Sequence, residues 1–312
     1  MTTATDKAIE KQCTLEEAIQ KHVPDGASVA MGLQMESMIP FAAGHEIIRQ
    51  GKRDLTLVGP ISDILFDQMI GAGCVRKVVA AWVGNVMMGS AYNFRRAVEQ
   101  SVPHPLEIVD HSNFTIALAL HAAALGVPFL PTHTARGSTM FGRNPDVAEF
   151  VAPFTNETMA AVRAIAPDVA ILQAQRADVY GNAHIWGNLG AAPDAGRAAE
   201  KVIVIAEEIV SPKVIASDPN RTVIPGFLVA AVAAVPFGAH PSPVQGYYNR
   251  DNAFYQEYHR QTKTRQENEA WLEHWITDAK DHMDYLQKLG PERIQGLAVK
   301  KHAYASRADF GH

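Results

Sequence analysis

Few side chains in this sequence have both the type and the spacing for bond chemistry. Asp110, His111 and Ser112 run consecutively in "DHSNF" and have the composition of a Ser-His-Asp triad. A triad needs its members to converge in space, which successive residues rarely do, so no triad is read here. Glu207 and Glu208 are neighbours in "VIAEEIV". On a strand they point to opposite faces and cannot share a substrate as a carboxylate pair, although one of them can be buried and bonded near a cleft. His240 sits in the Gly/Pro loop "PFGAHPSPVQGYY". A lone loop histidine is more often a bonded structural residue than a catalyst, and both readings stay open for it.

The remaining candidates are amides, hydroxyls and backbone. Asn113 stands just before a strongly apolar run, where its amide could donate to a carbonyl or oxyanion. Ser112 or Asn113 could instead simply cap a helix. "MGLQMES" offers Gly32 for close backbone approach and Gln34 for a polar contact, or is a plain strand-to-helix turn. "VGNVMMGSAYNF" places Gly84 and Asn85 directly after a strand, as cleft lining or as ordinary loop. "QAQRADVYGNAHIWGN", residues 173–188, carries Arg176, Asp178, His184 and Trp186. It reads as a tight connection from Asp178 to Asn182 between neighbouring strands. Gly181 and Asn182 are expected at positive φ, with Arg176 and Asp178 as braces.

The elements that must position these groups follow a clear rhythm. "TLEEAIQKHV" has a capping box, Thr14 with Glu17, before an amphipathic helix. Short unbroken apolar strands then alternate with helices: "ASVAMG", "DLTLVG", "KVVAAWVG", "LEIVD", "VPFLPT", "DVAILQA", "AHIWG", "KVIVIAEEIV" and "FLVAAVAAVP". That pattern predicts an α/β fold, an open and mainly parallel sheet with helices on both faces. Ligands of such sheets lie beyond the carboxyl ends of the strands, where "MGLQMES", "VGNVMMGSAYNF", "DHSNF" and "PFGAHPSPVQGYY" fall. Residues 133–158 have loop composition and are expected as a long excursion near the mouth of the site. Beyond "GYYNRDNAF" the chain turns charged and helical. This divides it into an α/β domain over 1–250 and a helical extension over 251–312 packed on the same domain.

Bulk properties exclude several classes. A 47% hydrophobic chain of 312 residues can bury a large core. With a net charge of −5 and no Lys/Arg run, nucleic acid has no electrostatic footprint. The 13 histidines are scattered without metal-ligand spacing, so no metal is expected. Cys13 and Cys74 make no disulfide framework. "FLVAAVAAVPFGA" is broken by Pro236 and too short for a bilayer, and "MTTATDKAIEKQ" lacks an apolar signal core. A cytoplasmic protein without membrane contact is expected.

The series "ASVAMG", "AAALGVPFLP", "QAQRADVYGNAHIWG", "AEEIV", "VPFGAHPS", "GYYNRDNAF" and "DAKDHMDYLQKLG" resembles the A (alpha) subunits of family I CoA-transferases. It is most similar to those of the glutaconate CoA-transferases. The resemblance runs in order from about residue 14 to 295. It implies the same open α/β fold and ping-pong movement of CoA between carboxylic acids, through an acyl anhydride and a glutamyl-CoA thioester. It implies that the nucleophilic glutamate belongs to a separate beta subunit. Acyl-CoA would be a substrate, with no permanently bound cofactor.

Carried over residue by residue, the resemblance puts Asn113 where relatives have an oxyanion-pocket Gln, with Ser112 beside it. Gly32, Leu33 and Gln34 stand in place of a Gly-Gly-Phe turn. With Gly84, Asn85 and His240, Gly32 and Gln34 form the expected substrate-binding set. A hydrolase branch that opens sterol-derived rings is similar too, and there a Glu stands at the Asn113 position. An amide cannot serve as a general base, which favours transfer over hydrolysis. A non-catalytic ligand-binding module is the remaining alternative.

Overall fold

The computed structural model describes residues 9–299. Thr14 caps α1 (Leu15–His22) and Glu17 reaches back to the Thr14 N–H, as the capping box requires. Next come β1 (Ser28–Ala30), α2 (Phe41–Arg49), β2 (Leu55–Ile61), α3 (Asp63–Gly71), β3 (Val75–Trp82), α4 (Tyr92–Gln100), β4 (Glu107–Asp110) and α5 (Asn113–Ala124). After them come β5 (Phe129–Thr132), β6 (Val147–Val151), β7 (Thr158–Arg163), β8 (Val169–Ala177), β9 (Ala183–His184), α6 (Ala192–Ala198) and β10 (Lys201–Ile209). The chain continues through α7 (Pro212–Ser217), β11 (Thr222–Ile224), β12 (Val229–Ala234), α8 (Asn252–Gln261), α9 (Arg265–Leu272), α10 (His282–Leu289) and α11 (Pro291–Leu297).

Among the described residues the main sheet has nine strands. Its parallel part runs in the order β12-β10-β8-β1-β2-β3-β4. From β1 the chain winds outward through β2, β3 and β4. From β8 it winds the other way through β10 and β12. The winding reverses between β1 and β8, which pair at Val29↔Val169 and Ala30↔Ala170. In open parallel sheets that reversal leaves a crevice at the carboxyl ends of the strands. Beyond the short β1, β8 pairs instead with the antiparallel β9, at Arg176↔His184 and Ala177↔Ala183.

Period-2 alternation sorts the strand residues between two cores. Val29, Leu57, Val78, Ile171 and Ile203 pack with α1, α2 and α3. Phe254, Tyr258, Trp271, Tyr285 and Leu286 of the C-terminal helices join that same cluster. Ala30, Val58, Val79, Leu172 and Val204 face the other way, with Ile116 and Leu120 of α5 and Ala192 and Ala195 of α6. A one-residue slip of any strand would exchange the two faces, so register is fixed from both sides.

Three expectations are corrected. "VPFLPT" forms a strand but leaves the parallel sheet: β5 pairs antiparallel with β7, and β7 with β6. Residues 133–158 are therefore not all loop, since β6 lies within them. Its residues are largely exposed, so no unbroken apolar run marked it. In the 178–182 turn, Gly181 takes φ 88° but Asn182 does not turn left-handed. The buried Asp178 already holds the turn, accepting from the N–H of Tyr180 (3.0 Å) and of Asn182 (3.0 Å) and from Asn182 Nδ2 (2.9 Å). Arg176 braces the strand differently, by an ion pair with Glu208 at 2.6 Å. No described helix is long and apolar enough to cross a membrane.

Glu207 bolts the sheet to the segment after β12. It accepts from Gln173 Nε2 (2.7 Å), the Tyr248 hydroxyl (2.8 Å) and the Phe237 N–H (2.7 Å). Burial pushes its carboxyl up to about 8, against those three donors. The folded chain thus keeps a proton that the unfolded chain loses near the ordinary carboxyl value, so stability falls as pH rises through that window.

Two measurements follow from these ties. Asp178→Ala leaves part-buried donors unpaired and should lower the unfolding free energy by roughly 1–3 kcal/mol, read as a lower denaturant midpoint at constant m-value. A loss under about 0.5 kcal/mol would mean that the turn holds without its carboxylate. The melting temperature should fall between about pH 5 and pH 8, and Glu207→Gln should flatten that fall. Parallel profiles for the two proteins would place the titrating group elsewhere.

Candidate functional site

The crevice between β1 and β8 is floored by the loop that follows β1. Gly32 takes φ 66°, and a Cβ there would lie 2.1 Å from Ser62 Oγ. The glycine therefore admits the start of α3, with Ser62 Oγ donating to the Met31 carbonyl at 3.1 Å. Leu33 offers its carbonyl to the Ala191 N–H at 2.8 Å. Gln34 is buried and locked to Asn188: its Nε2 donates to the Asn188 carbonyl (3.3 Å), and Asn188 Nδ2 donates to the Gln34 carbonyl (3.2 Å). The stretch 187–190 thus lies over the β1 loop. Residues 173–188 build the scaffold of the crevice, while Gly187 and Asn188 stand exposed at its rim.

Further along the same loop, Met35 and Met38 adopt φ 61° and 54°, and Asp63 at the start of α3 adopts φ 48°. Left-handed backbone at non-glycine residues costs roughly 1–3 kcal/mol each and persists only where neighbours impose it. Arg250 lies beside this loop and the start of α3. Its buried guanidinium bonds Glu36 Oε2 at 2.7 Å and Asp63 Oδ2 at 3.2 Å. It also lies 4.4 Å from the centre of the Tyr255 ring. Asp63 Oδ1 accepts the Val86 N–H at 3.1 Å, which brings in the loop after β3. Burial pushes the Asp63 carboxyl up to about 7, with Arg250 and the Val86 N–H opposing.

Gly84 packs against the Trp82 ring, and Asn85 is buried. Asn85 Nδ2 donates to the Tyr255 carbonyl at 2.9 Å, and its Oδ1 accepts from the N–H groups of Met87 (3.2 Å) and Met88 (3.0 Å). Asn85 thereby shapes its loop and leaves Met87 and Met88 exposed. At the end of β4, Ser112 caps α5 by accepting the Thr115 N–H at 3.0 Å. Asn113 follows in the first turn, exposed, with no side-chain hydrogen bond among the described residues. His111 is buried, with Nδ1 at 3.1 Å from Thr115 Oγ1, so Asp110, His111 and Ser112 do not form a relay.

His240 is buried in the loop after β12. Its Nε2 is 2.9 Å from Asp251 and its Nδ1 is 2.6 Å from the Tyr285 hydroxyl, and the ring is buried. Burial lowers its basicity despite Asp251, so the neutral ring donates to the carboxylate and accepts from the tyrosine. Both nitrogens are used in joining the β12 loop to the C-terminal helices. The residues Gly32, Gln34, Gly84, Asn85, Ser112 and Asn113 follow β1, β3 and β4 at the carboxyl ends of the strands, and the loop of His240 follows β12.

Spacing in the sequence did not single out Arg250, Glu36, Asp63 or Asn188. Arg250 and Asp63 are 187 residues apart, and a Ser-Asp pair opening a helix looks like any cap. Among the described residues no cluster of three or more His, Cys, Asp or Glu could hold a metal ion.

Comparison with known proteins identifies the family. A model of the coenzyme A transferase family matches residues 13–235. The chain is 42% identical over 276 residues to the A subunit of the 3-oxoadipate CoA-transferase of Pseudomonas knackmussii, covering 88% of this chain and 97% of that one. The glutaconate CoA-transferase structure from Acidaminococcus fermentans superposes with a TM-score of 0.88 at 35% identity, covering 94% of this chain and 97% of that one. One subunit of the cholesterol ring-cleaving hydrolase of Rhodococcus jostii is 28% identical over 94% of this chain and 97% of its own length. The likeness to A subunits is thus not confined to the glutaconate enzyme. Its matched span carries both β1 and β8, with the crevice between them, and the chain belongs to the coenzyme A transferase family, as an A subunit of the family I type.

Proposed function

We propose that this chain works with a beta subunit to move CoA between an acyl-CoA and a carboxylic acid. The observation that carries this is likeness to CoA-transferase A subunits along nearly the whole chain. The thioester carbonyl is attacked by a glutamate of the beta subunit, and CoA thiolate leaves as an acyl anhydride forms. The thiolate then attacks the glutamyl carbonyl, releasing the first acid and leaving glutamyl-CoA. An acceptor carboxylate runs the two steps in reverse. CoA enters and leaves as part of the substrate.

In this reading the chain supplies binding and polarisation. Asn113 stands exposed in the first turn of α5, where an amide donor and the helix N-terminus both favour a developing oxyanion. The crevice beside Gln34 and Asn188 takes the acyl group. Hydrolysis is the second reading, motivated by the similarity to the ring-cleaving hydrolase. It needs a base to activate water, and the Asn113 amide offers none. Trp82, Met87, Met88 and Phe114, exposed around the ends of β3 and β4, are the apolar surface that the beta subunit covers.

Co-expressed with the subunit encoded beside it, the chain should form a complex whose partner gains the mass of CoA on a glutamate when given acyl-CoA alone. Absence of the adduct sinks the transfer reading, and CoA release without any acceptor acid supports hydrolysis. Asn113→Ala should lower kcat about a hundredfold, with little change in melting temperature because the residue is exposed. Equal loss of activity and stability would reduce Asn113 to a helix-start residue. Paired Met88→Asp and Phe114→Asp substitutions should abolish co-purification while the chain stays folded, and an intact complex would move the interface elsewhere.

A further inference from the structure

We infer that Arg250 is a positioning residue for the site, acting through Glu36 to hold the loop after β1 in its left-handed course. The kinetic part of this inference rests on the CoA-transfer reading, whereas the structural part does not. The two feet of the loop have holds of their own. Leu33 and Gln34 are fixed by Ala191 and Asn188. At the other end, the Met38 N–H donates to the Pro243 carbonyl at 3.0 Å and Ser242 Oγ donates to the Glu36 carbonyl at 2.8 Å. Between the feet, Met35 is left-handed and half-buried in a turn that Ser37 closes by donating its N–H (3.3 Å) and Oγ (3.0 Å) to the Gln34 carbonyl, and the side chain that ties this turn to the core is Glu36.

The Glu36 side chain is 31% exposed, while its partner Arg250 is 3% exposed and Asp63, on the far side of the guanidinium, is fully buried. The ion pair therefore runs from the rim into the core. It ties the rim span to the start of α3 and, through Asp63, to the loop that carries Asn85. Breaking its outer end frees Met35 to leave the left-handed region, while both hydrophobic cores stay packed. That is the expected behaviour of a group that sets site geometry without supporting the fold.

The test uses the full chain, purified with its partner subunit where that complex forms, and the variants Glu36→Gln, Glu36→Asp and Arg250→Lys. Glu36→Gln should speed amide hydrogen exchange in residues 33–38 by about tenfold or more, with exchange in β1, β2 and β8 unchanged. Its kcat/KM should fall about tenfold to a hundredfold, mostly in kcat, with the melting temperature nearly kept. Glu36→Asp should recover part of both effects. Unchanged exchange in 33–38, or a general rise across the strands together with a lowered melting temperature, overturns the inference. Should Arg250→Lys not accumulate, Glu36→Gln at the rim decides alone. If the wild-type complex moves no CoA, the transfer reading fails, and the exchange data still judge the positioning role.

Discussion

A guanidinium cannot shed its proton, so burying one obliges the chain to bring carboxylates to it. Arg250 imposes that obligation here. Its two carboxylates come from the ends of different strands, Glu36 after β1 and Asp63 after β2. To meet it, the backbone turns left-handed at Met35 and at Asp63. An unpaired charge in that place would be far more unfavourable than the strain, and this sets the direction of the bargain. The loop after β1, the start of α3 and the loop after β3 thus share one electrostatic anchor, and the crevice takes its shape from it.

The other buried ionisable groups do different work. His240 has both ring nitrogens committed, and Glu207 has three donors around it. Each is buried and joins segments of the fold. Beside the Glu36 carboxylate, the rim presents amides, backbone and apolar side chains, a surface suited to gripping an acyl group and stabilising charge as it develops. Such a half-site agrees with a chain that belongs to the A subunits of its family.

The α/β architecture was legible because short apolar runs and helix caps are local signals. Thr14 with Glu17, and the loops around Gly32, Gly84 and Asn113, all fall where periodicity put them. The small antiparallel sheet was not legible. Its strand β6 is largely exposed, and exposed strands lack the apolar run that betrays buried ones. The roles of single residues were harder still. Asn182 stays out of the left-handed region because Asp178 satisfies the turn, a tie visible only once the side chains meet. Arg250 looked like one more charge in a polar stretch, since its partners lie in the first fifth or so of the chain.

The pairing of β1 with β8 has a consequence for the order in which the protein is made. Val29 finds its β2 neighbour Leu57 early, but its other neighbour, Val169, emerges from the ribosome 140 residues later. The half-sheet from β1 to β4 must therefore wait with an open edge at β1, the strand whose loop floors the crevice. Long-range closures of this kind are slow and leave strand edges unprotected in the interval. The crevice does not exist in the nascent half-sheet. It comes into being only when the second half of the chain docks, which makes completion of the fold and assembly of the site the same event.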